Sequence, residues 1–281
     1  MTISELIIDD FYVNKPDPVS LEEHLEFFKS IDSQLLKLPA ELRTKSTKYR
    51  IFKDYLKSKK ACALYRKRED ASNFLVDYWL NSVKRIALLY GTYNQIPKFE
   101  SIDKSFVSEI ISLSVDTRNL LKLGEILEKK GIILIIEKSI SGLKTDGAVF
   151  INENNHAIVS LSLRYNRLDN FWFTLIHELA HLILHVDQLS DPIVEDFDED
   201  EIDLKEKQAN KLAGDLLIPR HLWRNCAVKY NTNNKRLLKD FAISAGVHPS
   251  IAAGRLRREL DNYSIFSDIV NQVDVREIFN I

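Results

Sequence analysis

The segment FWFTLIHELAHLILH, from Phe171 to His185, constrains this chain more than any other stretch. It is apolar on nearly every side, contains neither proline nor glycine, and yet carries three histidines and a glutamate. Its length and pattern predict a helix buried in a core. Polar groups in such a place need partners, because each one left unsatisfied costs about 1–3 kcal/mol. The spacing suggests what the partner is. His177-Glu178-Leu179-Ala180-His181 is an H-E-x-x-H motif. Helix positions four apart lie about 40° apart on one face and about one turn apart along the axis. Two imidazoles so placed can hold one zinc ion, and Glu178 can reach a water beside it. The competing reading is a buried helix whose histidines bond to carbonyls or acids.

A catalytic zinc needs a third protein ligand and an open position. His185 continues the four-residue spacing, but it lies about 6 Å beyond His181 and about 12 Å beyond His177 along the axis. One straight helix cannot wrap three such rings around one ion, so a hydrogen bond near the site is the better role for His185. Asp187 has the spacing of one zinc-peptidase class, which relies on a glycine turn; position 184 here is leucine. Glu206 is favoured. It opens the next helical stretch, LKEKQANKLAGDLLIP, and can approach from the side. Ala209 and Ala213 on the same face would let the two helices close. Asn210, one turn after Glu206, is placed to orient a liganding histidine through its other ring nitrogen. The plainer reading of Asn210 is an ordinary exposed helix residue.

The rest of the chain frames this site. Its 281 residues are 45% hydrophobic and 28% charged, enough for more than one compact unit and unlike a disordered chain. A net charge of −2 gives no global pull toward nucleic acid or membrane, so any such binding needs a local patch. Two cysteines, Cys62 and Cys226, make neither a disulfide framework nor a cysteine zinc site, and they read as small buried residues. There is no leader-like start and no run of about 18 apolar residues, so a cytoplasmic protein without membrane contact is expected.

Residues 1–95 read as a helical N-terminal region. There NFLVDYWLNSVKRIALLYG sets Phe74, Leu75, Trp79, Val83, Ile86 and Tyr90 at helical spacing, with Gly91 as the stop. The basic run from Arg43 to Arg68 reads as a solvated face, with an acidic partner or nucleic acid as the sharper alternative. Residues 105–225 read as the core, an α+β unit. It has a helix over SFVSEIISLSVDTRNLLKLGEILEKKG ending at Gly131, the short strands IILIIE, GAVFIN and AIVSLSLRY, and then the two site helices. For AIVSLSL, an edge strand that pairs with an extended peptide and a buried strand both stand open. Tyr165 and Arg164 are candidates to steady an oxyanion, or they simply pack and pair at the surface. The acidic run 187–203 reads as an exposed loop that gates a cleft or attracts a basic protein. Residues 226–281 read as helical. In FAISAGVHPSIAAGRLRREL, Gly246 sits where a helix-turn-helix turns, with Ala242, Val247, Ile251 and Leu256 at its core positions. Arg255, Arg257 and Arg258 are candidates for phosphate contact, the other reading being closure of the core. His24, His156, His221 and His248 show no ligand spacing.

With these residues in place, the chain resembles the ImmA/IrrE family of metallopeptidases. The matching stretches are DNFWFTLIHELAHLILH at 169–185 and EKQANKLAGDLLIP at 206–219. The second holds the family's E-x-x-A-N pattern at Glu206, Ala209 and Asn210. The resemblance implies a zincin-like core with a small sheet, helical flanks, zinc on His177, His181 and Glu206, and Glu178 as general base. It also implies cleavage of a DNA-bound repressor, or another control of gene expression under stress. The stretches at 63–87 and 159–173 resemble the metallopeptidase-like part of HigA-type antitoxin regulators. Those usually begin with a DNA-reading helix-turn-helix, of which residues 1–60 here show no convincing version. The expected function is therefore a regulatory zinc endopeptidase that cuts a specific protein such as a repressor or antitoxin. The alternative is a transcriptional regulator or antitoxin-like protein that uses the same fold only to bind DNA or a partner.

Overall fold

A computed structural model describes residues 21–57, 71–190, 193–194 and 204–281. Cys62, the end of the basic run and most of the acidic run lie outside the described residues. The chain divides into two compact units, Met1–Leu75 and Val76–Ile281. In the first, helices α1 (Leu21–Leu35) and α2 (Lys45–Lys57) pack together. The rings of Phe27 and Tyr55 stack there with centroids 3.8 Å apart, and Lys48 pairs with Asp32 at 2.5 Å.

Helix α3 (Ala71–Tyr93) buries Phe74, Leu75, Trp79 and Val83, but Ile86 and Tyr90 are exposed and Gly91 does not end it. Toward its C-terminus the packed face turns to Ala87 and Gly91. A Cβ on Gly91 would stand 3.3 Å from the His156 ring, so the glycine serves close approach instead of termination. The long helix expected before Gly131 is also broken. It forms α4 (Lys104–Ser112), two 3₁₀ turns and α5 (Leu123–Glu128). Asp116 is the cause: its backbone is extended and its carboxylate accepts from the Arg118 amide, which ends one helical run and caps the next. Gly131, at φ +75°, then lets the chain turn into the sheet.

The sheet contains β1 (Ile132–Ile136), β2 (Gly147–Ile151), β3 (Ala157–Leu161) and the two-residue β4 (Ile193–Val194), in the order β1-β3-β2-β4. Strand β3 runs parallel to β1 and antiparallel to β2, and all five of its residues are buried. AIVSLSL is therefore not an edge strand. Both of its hydrogen-bonding rows are occupied, and no peptide can add to it.

Helix α6 (Leu168–Leu184) lies against β2 and β3, and α7 (Leu204–Leu217) packs along α6. Ala209 and Ala213 are fully buried between them. After α8 (Arg220–Arg224), helices α9 (Lys235–Ala245) and α10 (Pro249–Glu259) meet at Gly246, which is left-handed at φ +69°. Two short helices follow, α11 (Ser267–Val270) and α12 (Val275–Ile278). Helix α10 packs into the core: Ile251, Ala252, Ala253 and Leu256 join the same hydrophobic cluster as Trp172 and Leu175 of α6. Two of the three arginines named as candidates for phosphate contact are engaged within the fold, and Arg258 is exposed. Arg255 donates to the carbonyls of Gly214 and Ile218 at 2.6 and 2.8 Å, closing the end of α7. Arg257 is buried and donates to the Tyr263 carbonyl. Arg258 lies over the Phe173 ring, 5.1 Å from its centroid. Among the described residues, no helix is long and apolar enough to cross a membrane.

Two glycines test this packing. A Cβ on Gly254 of α10 would lie 2.7 Å from the Asp169 Cβ, whereas one on Gly214 of α7 meets nothing within 4 Å. Gly254→Ala should destabilise, since overpacking of about 1–3 kcal/mol outweighs a helix-propensity gain of about 1 kcal/mol. Gly214→Ala keeps only the gain. Urea melts should move the two midpoints in opposite directions.

Candidate metal centre

Helix α6 holds its helical form through Leu184 and ends at His185, whose φ of −132° leaves the helix. His177 and His181 therefore stand one turn apart on one face, both fully buried. Their Nε2 atoms are 2.9 Å apart. Glu206 enters from the first turn of α7, where the helix dipole favours a carboxylate. Its Oε2 is 3.0 Å from His177 Nε2, and its Oε1 is 3.2 Å from His181 Nε2. The three donor atoms lie within 4.8 Å of one another, as a single cation requires. Asp187 sits in a 3₁₀ turn at Val186–Gln188 and is not among them.

Burial pushes the Glu206 carboxyl up, but hydrogen bonds from both histidines outweigh it and bring the group to about 2. Burial also holds His177 below its ordinary 6.5, against the pull of Glu206, so its ring stays neutral and able to donate a lone pair near neutral pH.

Asn210 interacts with His177 from one turn beyond Glu206. His181 has a hydrogen-bonded chain behind it. His181 Nδ1 meets His185 Nδ1 at 3.0 Å, and His185 Nε2 meets Gln208 Oε1 at 3.0 Å. The direction of this chain follows from donor capacity. An amide oxygen only accepts, so His185 Nε2 carries the proton and its Nδ1 accepts. In the tautomer that binds metal, His181 Nδ1 is then the donor and the lone pair of His181 Nε2 would face a cation in place of its hydrogen bond to Glu206. Spacing along α7 gives no signal for Gln208, because residues two apart on a helix do not share a face with Glu206.

Glu178 is 1% exposed. Burial pushes its carboxyl well above the usual range, and the charges of Glu206 and Asp146 add to this. It lies against the start of β2, where a Cβ on Gly147 would stand 2.3 Å from Glu178 Oε1 and 2.8 Å from Thr174 Cγ2. Only glycine leaves that room. Asp146 and Gly147 read in sequence as turn residues ahead of a strand, and the three-dimensional meeting gives them their place at the site.

Tyr165 is 43% exposed, with the guanidiniums of Arg164 and Arg167 at 5.1 and 5.6 Å from its ring centroid. It lines a cleft of about 890 Å³ that Asn210, Phe173 and Asp146 also line. Cys226 is buried, and burial raises its thiol pKa.

Residues 128–248 match the peptidase family M78, described as the IrrE N-terminal-like domain. This stretch is similar to the ImmA/IrrE-family domain. It contains His177, Glu178, His181 and Glu206, together with the whole of β2, β3, α6 and α7. A peptidase family of this kind implies a metal ion and a protein substrate. No curated protein matches the chain.

The hydrogen-bond chain behind His181 has a measurable consequence. His185→Ala should lower metal affinity about 10–100-fold, as losses of such supporting bonds do. Asp187→Ala should leave it unchanged. Competitive chelator titration checks both. Because His177 is held below 6.5, metal should be retained as pH falls past that value and released only in more acid solution.

Proposed function

We propose that the protein is a zinc endopeptidase of regulatory type, acting on a specific protein such as a repressor or antitoxin. The convergence of two imidazole nitrogens and one carboxylate from adjacent helices carries this reading. Donors about 2.0–2.2 Å from a tetrahedral zinc stand about 3.3 Å apart. Here the two Nε2 atoms are 2.9 Å apart, one Glu206 oxygen is 3.0 Å from that of His177 and the other 3.2 Å from that of His181. Two histidines and a glutamate are also a known catalytic zinc set, with a fourth position open. Zinc there would polarise a peptide carbonyl and acidify a water.

The chain's own residues have separable roles in this mechanism. Asn210 and His185 fix the two ring orientations. Glu178 is the general base and then the general acid: its carboxylate takes the proton of the attacking water and passes it to the departing amine. Its raised pKa favours holding that proton until the amine leaves. Tyr165, at the cleft rim, is assigned the developing oxyanion. The choice of a repressor or antitoxin as substrate is supported by the family resemblance.

Glu178→Gln should retain one zinc per chain and lose about 10²–10⁴-fold in cleavage rate, the usual worth of a general base. Co-expression with the products of neighbouring genes, followed by mass spectrometry of fragments, measures it. Equal cutting by the variant, or a purified protein that takes up no zinc, would remove the basis of this reading.

A further inference from the structure

The cleft beside the metal centre has the size of a small-ligand or peptide pocket, at about 890 Å³. Two residues join it to the centre: Asn210, which interacts with His177, and Phe173, whose ring centroid is 6.2 Å from that of His177. Phe173, Leu217, Ile218 and Ile251 give the cleft an apolar lining. Gly214 lies among them, and a Cβ placed on it meets no atom within 4 Å. The glycine thus leaves open space against an apolar wall.

The charges around that space do not cancel. Each acid lining the cleft has a cation beside it. Asp169 pairs with Arg167 at 3.2 Å, Asp215 with Arg220 at 3.3 Å, and Glu259 with Lys229 at 2.7 Å. Asp146 has Arg164 at 3.9 Å. Lys211 and Arg258 line the same cleft, are exposed, and take part in no ion pair among the described residues. Arg255 donates to carbonyls, and Glu259 and Asp215 already act on its charge. Lys211 lies one turn before Gly214 on α7, and Arg258 one turn after Arg255 on α10. The uncancelled cations therefore stand on both helices that face the open space.

We propose that this cleft recognises an acidic peptide segment, with a bulky apolar side chain seated over Gly214 and neighbouring carboxylates on Lys211 and Arg258. Charge-assisted hydrogen bonds to a lysine and an arginine are the interactions that carboxylates take up. The apolar lining favours a side chain over a phosphodiester backbone. The proposal rests on the peptidase reading for why a peptide enters, but its charge preference is independent of whether the peptide is cut.

The test uses the full chain carrying Glu178→Gln, loaded with zinc, and fluorescein-labelled peptide pools read by anisotropy. In the pools Phe or Leu is flanked by Asp/Glu, by Ser/Gly or by Lys/Arg. The acidic pool should bind at least tenfold tighter than the neutral one. Lys211→Glu with Arg258→Glu should reverse the order of the acidic and basic pools. Gly214→Trp should weaken the acidic pool at least tenfold while zinc content and melting temperature hold. Absence of binding, an equal affinity for neutral peptides, an order unchanged by the charge reversal, or tighter binding of a single-stranded oligonucleotide would each overturn the proposal. Cleavage is scored separately with Glu178 intact. Binding of acidic peptides without any cutting leaves the cleft proposal standing and removes the peptidase reading. Cutting that ignores Lys211 and Arg258 does the reverse.

Discussion

Two imidazole nitrogens 2.9 Å apart and a carboxylate about 3 Å from both, all within a packed core, form the arrangement on which the rest of this structure depends. Such groups are costly to take out of water unless each is paired. The fold meets that cost by placing α6 and α7 close together, with Ala209 and Ala213 between them. It also supplies a partner behind His181, the ring of His185. The helix pair, the sheet beneath it and α10 beside it hold these few atoms in one geometry.

The same packing sets Glu178 apart from the donors. Its carboxyl points toward the start of β2, where Gly147 leaves room and Asp146 adds negative charge. Two adjacent helices thus carry carboxyls with opposite environments. Glu206 is drawn to low pKa by its two histidines, and Glu178 is pushed up by burial. Divergent carboxyl environments in one site are a common arrangement for acid and base chemistry.

What could be read from the sequence followed from local periodicity. The H-E-x-x-H spacing places His177 and His181 on one face because helical geometry is fixed within a turn. Glu206 stood out because a second helical pattern with small residues begins there. The α+β order of helix, short strands and helix was legible for the same reason. The misreadings came where long-range packing decides. Gly91 looked like a helix stop until the His156 ring gave it another purpose. The run before Gly131 looked like one helix because apolar spacing says nothing of the competing cap at Asp116. Strand β3 could be edge or centre, since pairing order is not encoded in alternation. Gln208 and Asp146 reach the site only through the docking of separate elements.

The stretch shared with the ImmA/IrrE family ends at residue 248, and α10 begins at Pro249. His177, Glu178, His181 and Glu206 therefore sit inside the matched stretch, as does Lys211, while Arg255 and Arg258 sit just beyond it. On the proposed reading, the residues that would hold the ion lie wholly within the matched stretch, whereas the cations of the cleft are divided across its end, Lys211 inside and Arg258 beyond.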